Sequence, residues 1–284
     1  MQLDEVIRFL TEKWNRHSAS YDKIMVPIFR SYEEEVVKRA DIKRGYKVLD
    51  IGTGTGLAAL LAASIVGQEG LVIGVDIAEA FLQLARANAD KLGLGHVVFE
   101  RMDASSLQYL DENFDAVISN LGIYLKCGLI LKETHKVLKP GRVLSFSSGG
   151  PKPPEPVKVF EQLLAKYQRT LPPPELAAYR EAQGIARKES EQYRQPSRME
   201  NELRVTGFRF IEAAVKSRKL LFPSVQNYLD TFLIGWCYNQ AEFDAISPES
   251  KLAFREEALD ALKGYVTGEG FAVDTQIIYY KAVR

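Results

Sequence analysis

Apolar residues along the chain change spacing near Gly45, and that change organises everything after it. Before it, Val6, Phe9, Leu10 and Trp14 recur at helical spacing, and residues 30–40 continue as helix with Glu33, Glu34 and Glu35 in the middle. The stretch between, 14–22, is polar and turn-prone, and Pro27 interrupts the residues after it, so a loop is expected there. From Gly45, short apolar runs alternate with amphipathic stretches. Strands are predicted at 46–51, 71–75, 97–100, 116–119 and 143–147, and helices at 56–66, 77–92 and 129–137. Gly67 and Gly93 close the first two of these helices, as glycine does at a helix C-terminus. Strand and helix alternating at this pitch imply an α/β protein, a parallel sheet with helices on both faces.

Past Gly149 the texture changes. Prolines at 151, 153, 154 and 156 stiffen a loop; helices are predicted over 157–171, onward to about 190, and from a Ser197–Glu200 capping box to Gly207. Residues 208–221 alternate as a strand, 224–243 and 248–266 read as helices, and 271–283 is β-rich. Four segments result: a helical lead-in 1–44, a core 45–150, a helical insertion 151–207, and final strands 208–284 carrying a second insertion over about 223–267.

Composition narrows the function classes. Lys plus Arg total 37 and Asp plus Glu total 37, so the chain lacks the basic excess that phosphate-dominated binding uses, and no nucleic-acid partner is expected. The two cysteines, Cys127 and Cys237, are too few for a disulfide framework or a zinc site, and no metal is expected. The N-terminus lacks the order of a secretory signal, and the longest apolar run, about ten residues, is too short for a membrane span, so the expected setting is the cytoplasm.

The most informative segment is Asp50-Ile51-Gly52-Thr53-Gly54-Thr55-Gly56, at a strand-to-helix turn where glycine lets a ligand approach the backbone. A dinucleotide turn reads Gly-x-Gly-x-x-Gly/Ala because a pyrophosphate sits on the following helix N-terminus. Here the spacing is Gly-x-Gly-x-Gly, and Asp50 ends the strand. That carboxylate suits the positive amine and sulfonium of S-adenosylmethionine better than a pyrophosphate. Asp76, past the second strand, is placed to accept from both ribose hydroxyls, and also to cap the next helix. After the third strand, Asp103 would accept from the adenine amino group while Met102 or Ile77 packs on a ring face.

These residues, with Phe114-Asp115-Ala116-Val117 and Val137-Leu138-Lys139-Pro140-Gly141, make residues 45–147 resemble the class I S-adenosylmethionine-dependent methyltransferases, in particular the ubiquinone/menaquinone C-methyltransferase branch. The upstream His17-Ser18-Ala19-Ser20-Tyr21-Asp22 resembles that family's lead-in, whose tyrosine folds over the cofactor. Gly141-Arg142 departs from a double glycine found in many relatives, which affects a turn. The resemblance implies a Rossmann-like seven-stranded sheet, mostly parallel, with an antiparallel C-terminal strand paired with 208–221 and helical insertions forming a lid. It implies Asp50, Gly52, Thr53, Gly54 and Gly56 at the methionyl end, Tyr21 over the cofactor, Asp76 at the ribose, and Asp103 with Ala104 at the adenine, Met102 or Ile77 lying on a ring face. Backbone near Asn120 and Leu121 would take the amine, and S-adenosylhomocysteine would be the product.

Methyl transfer from a sulfonium is an in-line displacement that rests on positioning and exclusion of water. Of the three histidines only His17 is expected near an acceptor, as a base or as a structural residue. Aromatic residues at helical spacing in the insertions read chiefly as core packing, with some lining a pocket for a small, partly apolar acceptor, walled opposite by Tyr21, Met25, Phe29 and Tyr32. The chain is expected to act as a monomer or homodimer. The alternatives are methylation of protein or RNA, a non-catalytic nucleoside-binding scaffold and an NAD oxidoreductase, the last disfavoured by the glycine spacing.

Overall fold

A computed structural model describes all 284 residues. Two helices lead in, α1 (Leu3–Ile24) and α2 (Val26–Arg39). The alternating core comes next: β1 (Lys47–Ile51), α3 (Leu57–Val66), β2 (Leu71–Asp76), α4 (Glu79–Lys91), β3 (Val97–Arg101), β4 (Phe114–Asn120), α5 (Cys127–Val137) and β5 (Leu138–Gly149). Beyond it lie α6 (Glu155–Tyr167), α7 (Pro174–Glu191), α8 (Pro196–Thr206) and β6 (Arg209–Phe222). The chain ends with α9 (Val225–Gly235), α10 (Cys237–Ala245), α11 (Pro248–Leu262), β7 (Val266–Thr267) and β8 (Gly270–Val283).

Seven long strands form one sheet in the order β3-β2-β1-β4-β5-β8-β6, and the two-residue β7 pairs with β8 as an eighth. β1 to β5 run parallel, and β8 is antiparallel to both β5 and β6. The strand order reverses between β1 and β4, the place where open sheets of this kind leave a crevice outside their carboxyl ends. Asp50 pairs in register with Gly74 on one side and Ile118 on the other, so the loops after β1, β2 and β4 leave the sheet side by side.

Burial follows the pleat. On β8, Ile277 and Tyr279 join the core under α2, α3 and α4, while Ile278 and Tyr280 join the core under α5 and α8. A third cluster, with Phe160, Tyr228, Phe254 and Phe271 at its centre, holds α6, α9 and α11 against the long β6–β8 hairpin.

Four local expectations are corrected. The polar stretch 14–22 is not a loop: α1 is continuous, and the chain turns at Met25, just before Pro27. Its polar groups are used elsewhere, since Asn15 Oδ1 accepts the Ala80 N–H at 2.9 Å and Ser18 donates to the Asn15 carbonyl. Ser197 and Glu200 form no capping box, because Gln195 is the cap residue of α8 and Pro196 opens it. Residues 224–243 form two helices, split where Trp236 adopts an extended conformation. Met25, Phe29 and Tyr32 are core residues rather than a pocket wall; the Tyr32 hydroxyl is 2.8 Å from Thr275 Oγ1.

Asn15 has a measurable job. Ala78, the cap position of α4, provides no side-chain acceptor, so α1 caps α4 from outside. Asn15→Ala is expected to cost about 1 kcal/mol, a normal loss for a helix cap, read as a lower denaturation midpoint.

Candidate active site

The loops leaving β1, β2, β3 and β4 meet α1 around one cavity of about 190 Å³. Gly52, Gly54, Asp76, Ile77, Met102, Asp103, Ala104, Asn120, Leu121 and Tyr21 line it. Asp50, Thr53 and Gly56 lie behind its wall, and His17 lies outside it with Nδ1 3.1 Å from the Lys13 carbonyl. The cover is α1, through Ile7, Leu10, Thr11, Trp14 and Tyr21. No residue of the insertions lines the cavity; α7, α9 and α10 instead pack on α1 from outside. Trp236 stacks edge-on against Trp14 at 6.3 Å, and Trp14, Tyr21 and Phe81 form an aromatic triangle with centroids 5.3 to 5.9 Å apart.

The turn after β1 is assembled from left-handed glycines. A Cβ on Gly52 (φ +66°) would lie 2.8 Å from the Gly122 Cα, and one on Gly122 would lie 2.6 Å from the Ile51 carbonyl oxygen. The two loops therefore interlock through bare backbone. Gly54 (φ +53°) meets nothing within 4 Å, because that side of the turn is open. Beside it, Leu121 holds a left-handed φ of 58°, a costly conformation for a branched side chain. Ser147 Oγ secures it by accepting the Leu121 N–H at 3.1 Å.

Three N–H groups of this turn are already engaged. Thr53 donates to the Val75 carbonyl at 3.0 Å, Gly54 to Asp76 Oδ2 at 3.0 Å and Gly56 to the Thr53 carbonyl at 2.9 Å. The first-turn N–H groups of α3 face carboxyls, that of Ala59 toward Asp50 and that of Ala58 toward Glu33. A diphosphate needs such donors free and an uncharged approach. Neither is present.

Three acids surround the turn, and none forms an ion pair. Asp50 is 1% exposed; its Oδ2 accepts the Thr53 hydroxyl at 2.6 Å, and its Oδ1 has no partner. Burial pushes the Asp50 carboxyl up to about 7, against the pull of Thr53 and the Ala59 N–H. Asp76 is also raised by loss of water, although Ala78 and Gly54 donate to it at 2.9 and 3.0 Å. Glu33, on α2, is pushed up to about 8 by removal from water and by the Asp50 charge. Acids raised in the folded state make the unfolded chain the weaker proton binder, so stability falls as pH rises. The ligand-free protein is expected to lose stability from about pH 5 to pH 8 and to level off above, on melting curves taken across that range.

At the far end, exposed Asp103 turns Oδ1 to the Ser105 N–H and hydroxyl, at 2.8 and 2.7 Å, leaving Oδ2 3.7 Å from Lys126 Nζ. Lys126 also reaches Asp4 of α1 at 2.6 Å, closing that end of the cover.

Several of these residues escape the sequence reading. Glu33 sits four residues from both Phe29 and Val37, which are buried, so the helical period does place it on the inner face. Trp14 carries the same signal. Nothing in the sequence marks Tyr124, Lys126 or Phe81 as cavity residues, because loop and helix geometry brings them there.

A family model described as a methyltransferase domain matches residues 42–203, more than half of the chain. The chain belongs to this family, and S-adenosylmethionine is the methyl donor of the family. Demethylmenaquinone methyltransferase of Geobacillus kaustophilus is 35% identical over 133 residues, 44% of this chain and 56% of that protein, so the chain spans only about half the length of such relatives. Nocamycin O-methyltransferase of Saccharothrix syringae is 23% identical over 273 residues, 94% of this chain and 95% of that protein. Among solved structures, phosphoethanolamine N-methyltransferase 2 of Haemonchus contortus, with phosphomonomethylethanolamine and S-adenosylhomocysteine, superposes with a TM-score of 0.59. It is 18% identical over 100% of this chain and 61% of that one, a likeness that shows the fold.

Proposed function

We propose that this chain is an S-adenosylmethionine-dependent methyltransferase acting on a small, partly apolar metabolite. The observation that carries the reading is the buried Asp50 carboxyl, with half-buried Asp76 and Glu33 beside it, around an interlocked glycine turn, Asp50 Oδ1 being left without a partner. Such a site favours a cation and opposes a diphosphate. When bound, S-adenosylmethionine supplies an electrophilic methyl group on a positive sulfur.

The chain's own residues do the rest. Asp50 and the Gly52–Gly56 turn, with Thr53 holding Asp50, would take the methionyl end, and the Asn120 and Leu121 backbone its amine. Asp76, fixed by two backbone N–H groups, would accept from the ribose hydroxyls. Asp103 and Ala104 would take the adenine, with Met102 and Ile77 against its faces. Tyr21 and Trp14 cover the cavity and exclude water, the condition under which an in-line displacement is favoured. The Tyr21 phenol is raised by burial and stays protonated at neutral pH, so it is a donor and not a base. No proton transfer is assigned to His17, which lies outside the cavity.

Two features support a metabolite acceptor: the predominantly apolar cavity wall, and the likeness to proteins named for demethylmenaquinone and nocamycin. A screen with tritiated donor against quinone, phenol and amine panels tests it. Label is expected in a member of the panels. Transfer to tRNA or protein alone, with every small molecule unlabelled, would reject this acceptor class.

A further inference from the structure

Three consecutive glutamates occupy the middle of α2, and their fates differ. Glu34 pairs with Arg30 at 3.0 Å, and Glu35 with Arg39 at 2.8 Å and Lys216 at 2.6 Å. Glu33 turns inward and pairs with no cation. Its Oε1 accepts from Asn120 Nδ2 at 3.3 Å; Asn120 Oδ1 accepts the Ser147 hydroxyl at 2.6 Å; and Ser147 Oγ accepts the Leu121 N–H. A side chain of the lead-in is thereby wired to the strained turn that ends β4.

The groups that face Glu33 come from every neighbouring element. They are Asp50 on β1, Tyr21 on α1, the Ala58 N–H on α3, Asn120 on β4 and Arg30 on α2 itself. Arg30 is the only positive charge among them, and its guanidinium is committed to Glu34. Asp50, 1% exposed, leaves Oδ1 without any partner beside this acid. Removal from water and the Asp50 charge keep Glu33 protonated near neutral pH. One buried acid with a vacant acceptor and a second held neutral next to it form an arrangement that an incoming cation completes.

We propose that Glu33 is a positioning residue for the α-ammonium of the methyl donor, acting with Asp50 and through Asn120, and that donor binding expels its proton to solvent. The proposal rests on the donor assignment made above. No bond of the donor changes in this step; one proton passes from the Glu33 carboxyl to buffer, and the carboxylate, set behind the cavity wall, acts on the ammonium through Asn120, which lines the cavity. Asp76 and Asp103, at the nucleoside end, take no part. Donor affinity therefore rises with pH up to about 8, where Glu33 gives up its proton in the free protein as well, and levels off above.

Titration calorimetry of the full chain at pH 7, in phosphate and in Tris, counts the protons released on binding. S-adenosylmethionine and S-adenosylhomocysteine both carry the ammonium, and each is expected to release about half a proton or more. Methylthioadenosine has the nucleoside and sulfur without the ammonium, and is expected to release almost none. Glu33→Gln should cut the proton count, weaken the two amino-acid-bearing ligands about tenfold and leave methylthioadenosine within about twofold. Donor binding without proton release in the natural protein overturns the proposal alone, and needs no variant to fold. An unchanged proton count in Glu33→Gln, or equal weakening of methylthioadenosine, overturns it as well. Failure of both amino-acid-bearing ligands to bind removes the donor assignment and this proposal with it.

Discussion

Gly52→Ala is expected to destabilise the protein by about 3 kcal/mol or more and to abolish donor binding. Two costs add. The residue has φ +66°, a left-handed conformation that alanine adopts at about 1–2 kcal/mol. The new methyl would also stand 2.8 Å from the Gly122 Cα, a backbone atom and not a side chain that can swing away. Gly122 has no room to retreat: the Ile51 carbonyl beside it also holds the Ser119 hydroxyl at 2.7 Å. Gly54→Ala is the internal control. It shares the left-handed backbone (φ +53°) but meets nothing within 4 Å, so only the conformational cost applies. Denaturant titration of both variants separates the terms. Equal midpoints would show that the two loops are not interlocked.

Asp76→Ala is expected to weaken donor binding by about 2–3 kcal/mol, roughly a hundredfold, as for loss of a charged hydrogen-bonding partner. The carboxylate has a double task. Its oxygens fix the Gly54 and Ala78 N–H groups, and they line the cavity where ribose hydroxyls would reach it. Removing it frees the turn as well as deleting the acceptor. Asp76→Asn keeps the size but presents an N–H₂ toward one of two backbone donors, and a loss of about tenfold is expected. Calorimetry with S-adenosylmethionine measures both variants. Unchanged affinity in Asp76→Ala would take this residue out of the site.

Much of the architecture is local in origin, and that is why it could be read. β1 to β4 and their helices follow from short apolar runs and terminal glycines, and the parallel direction of the strands follows from their alternation. The Gly52–Gly56 turn, Asp76 and Asp103 sit at strand ends, where sequence position alone sets location. Long-range contacts were not readable. Residues 14–22 look like a loop because their polar groups find partners far along the chain, as Asn15 does at Ala80. The insertion aromatics read mainly as core, as Phe160 and Tyr228 prove to be, but the pocket lining also allowed for some of them falls to α1, which supplies the cover. Glu33 sits within an acidic run whose other members form ion pairs, so only its helical phase distinguishes it.

The carboxyl-lined turn after β1 is held to be a seat for a cationic methyl donor with no place for a diphosphate. Calorimetric titration of the full chain with S-adenosylmethionine and, separately, with NAD decides this most directly. Saturable binding of the sulfonium compound with no heat from the dinucleotide is expected; saturable binding of NAD, with S-adenosylmethionine ignored, would contradict it.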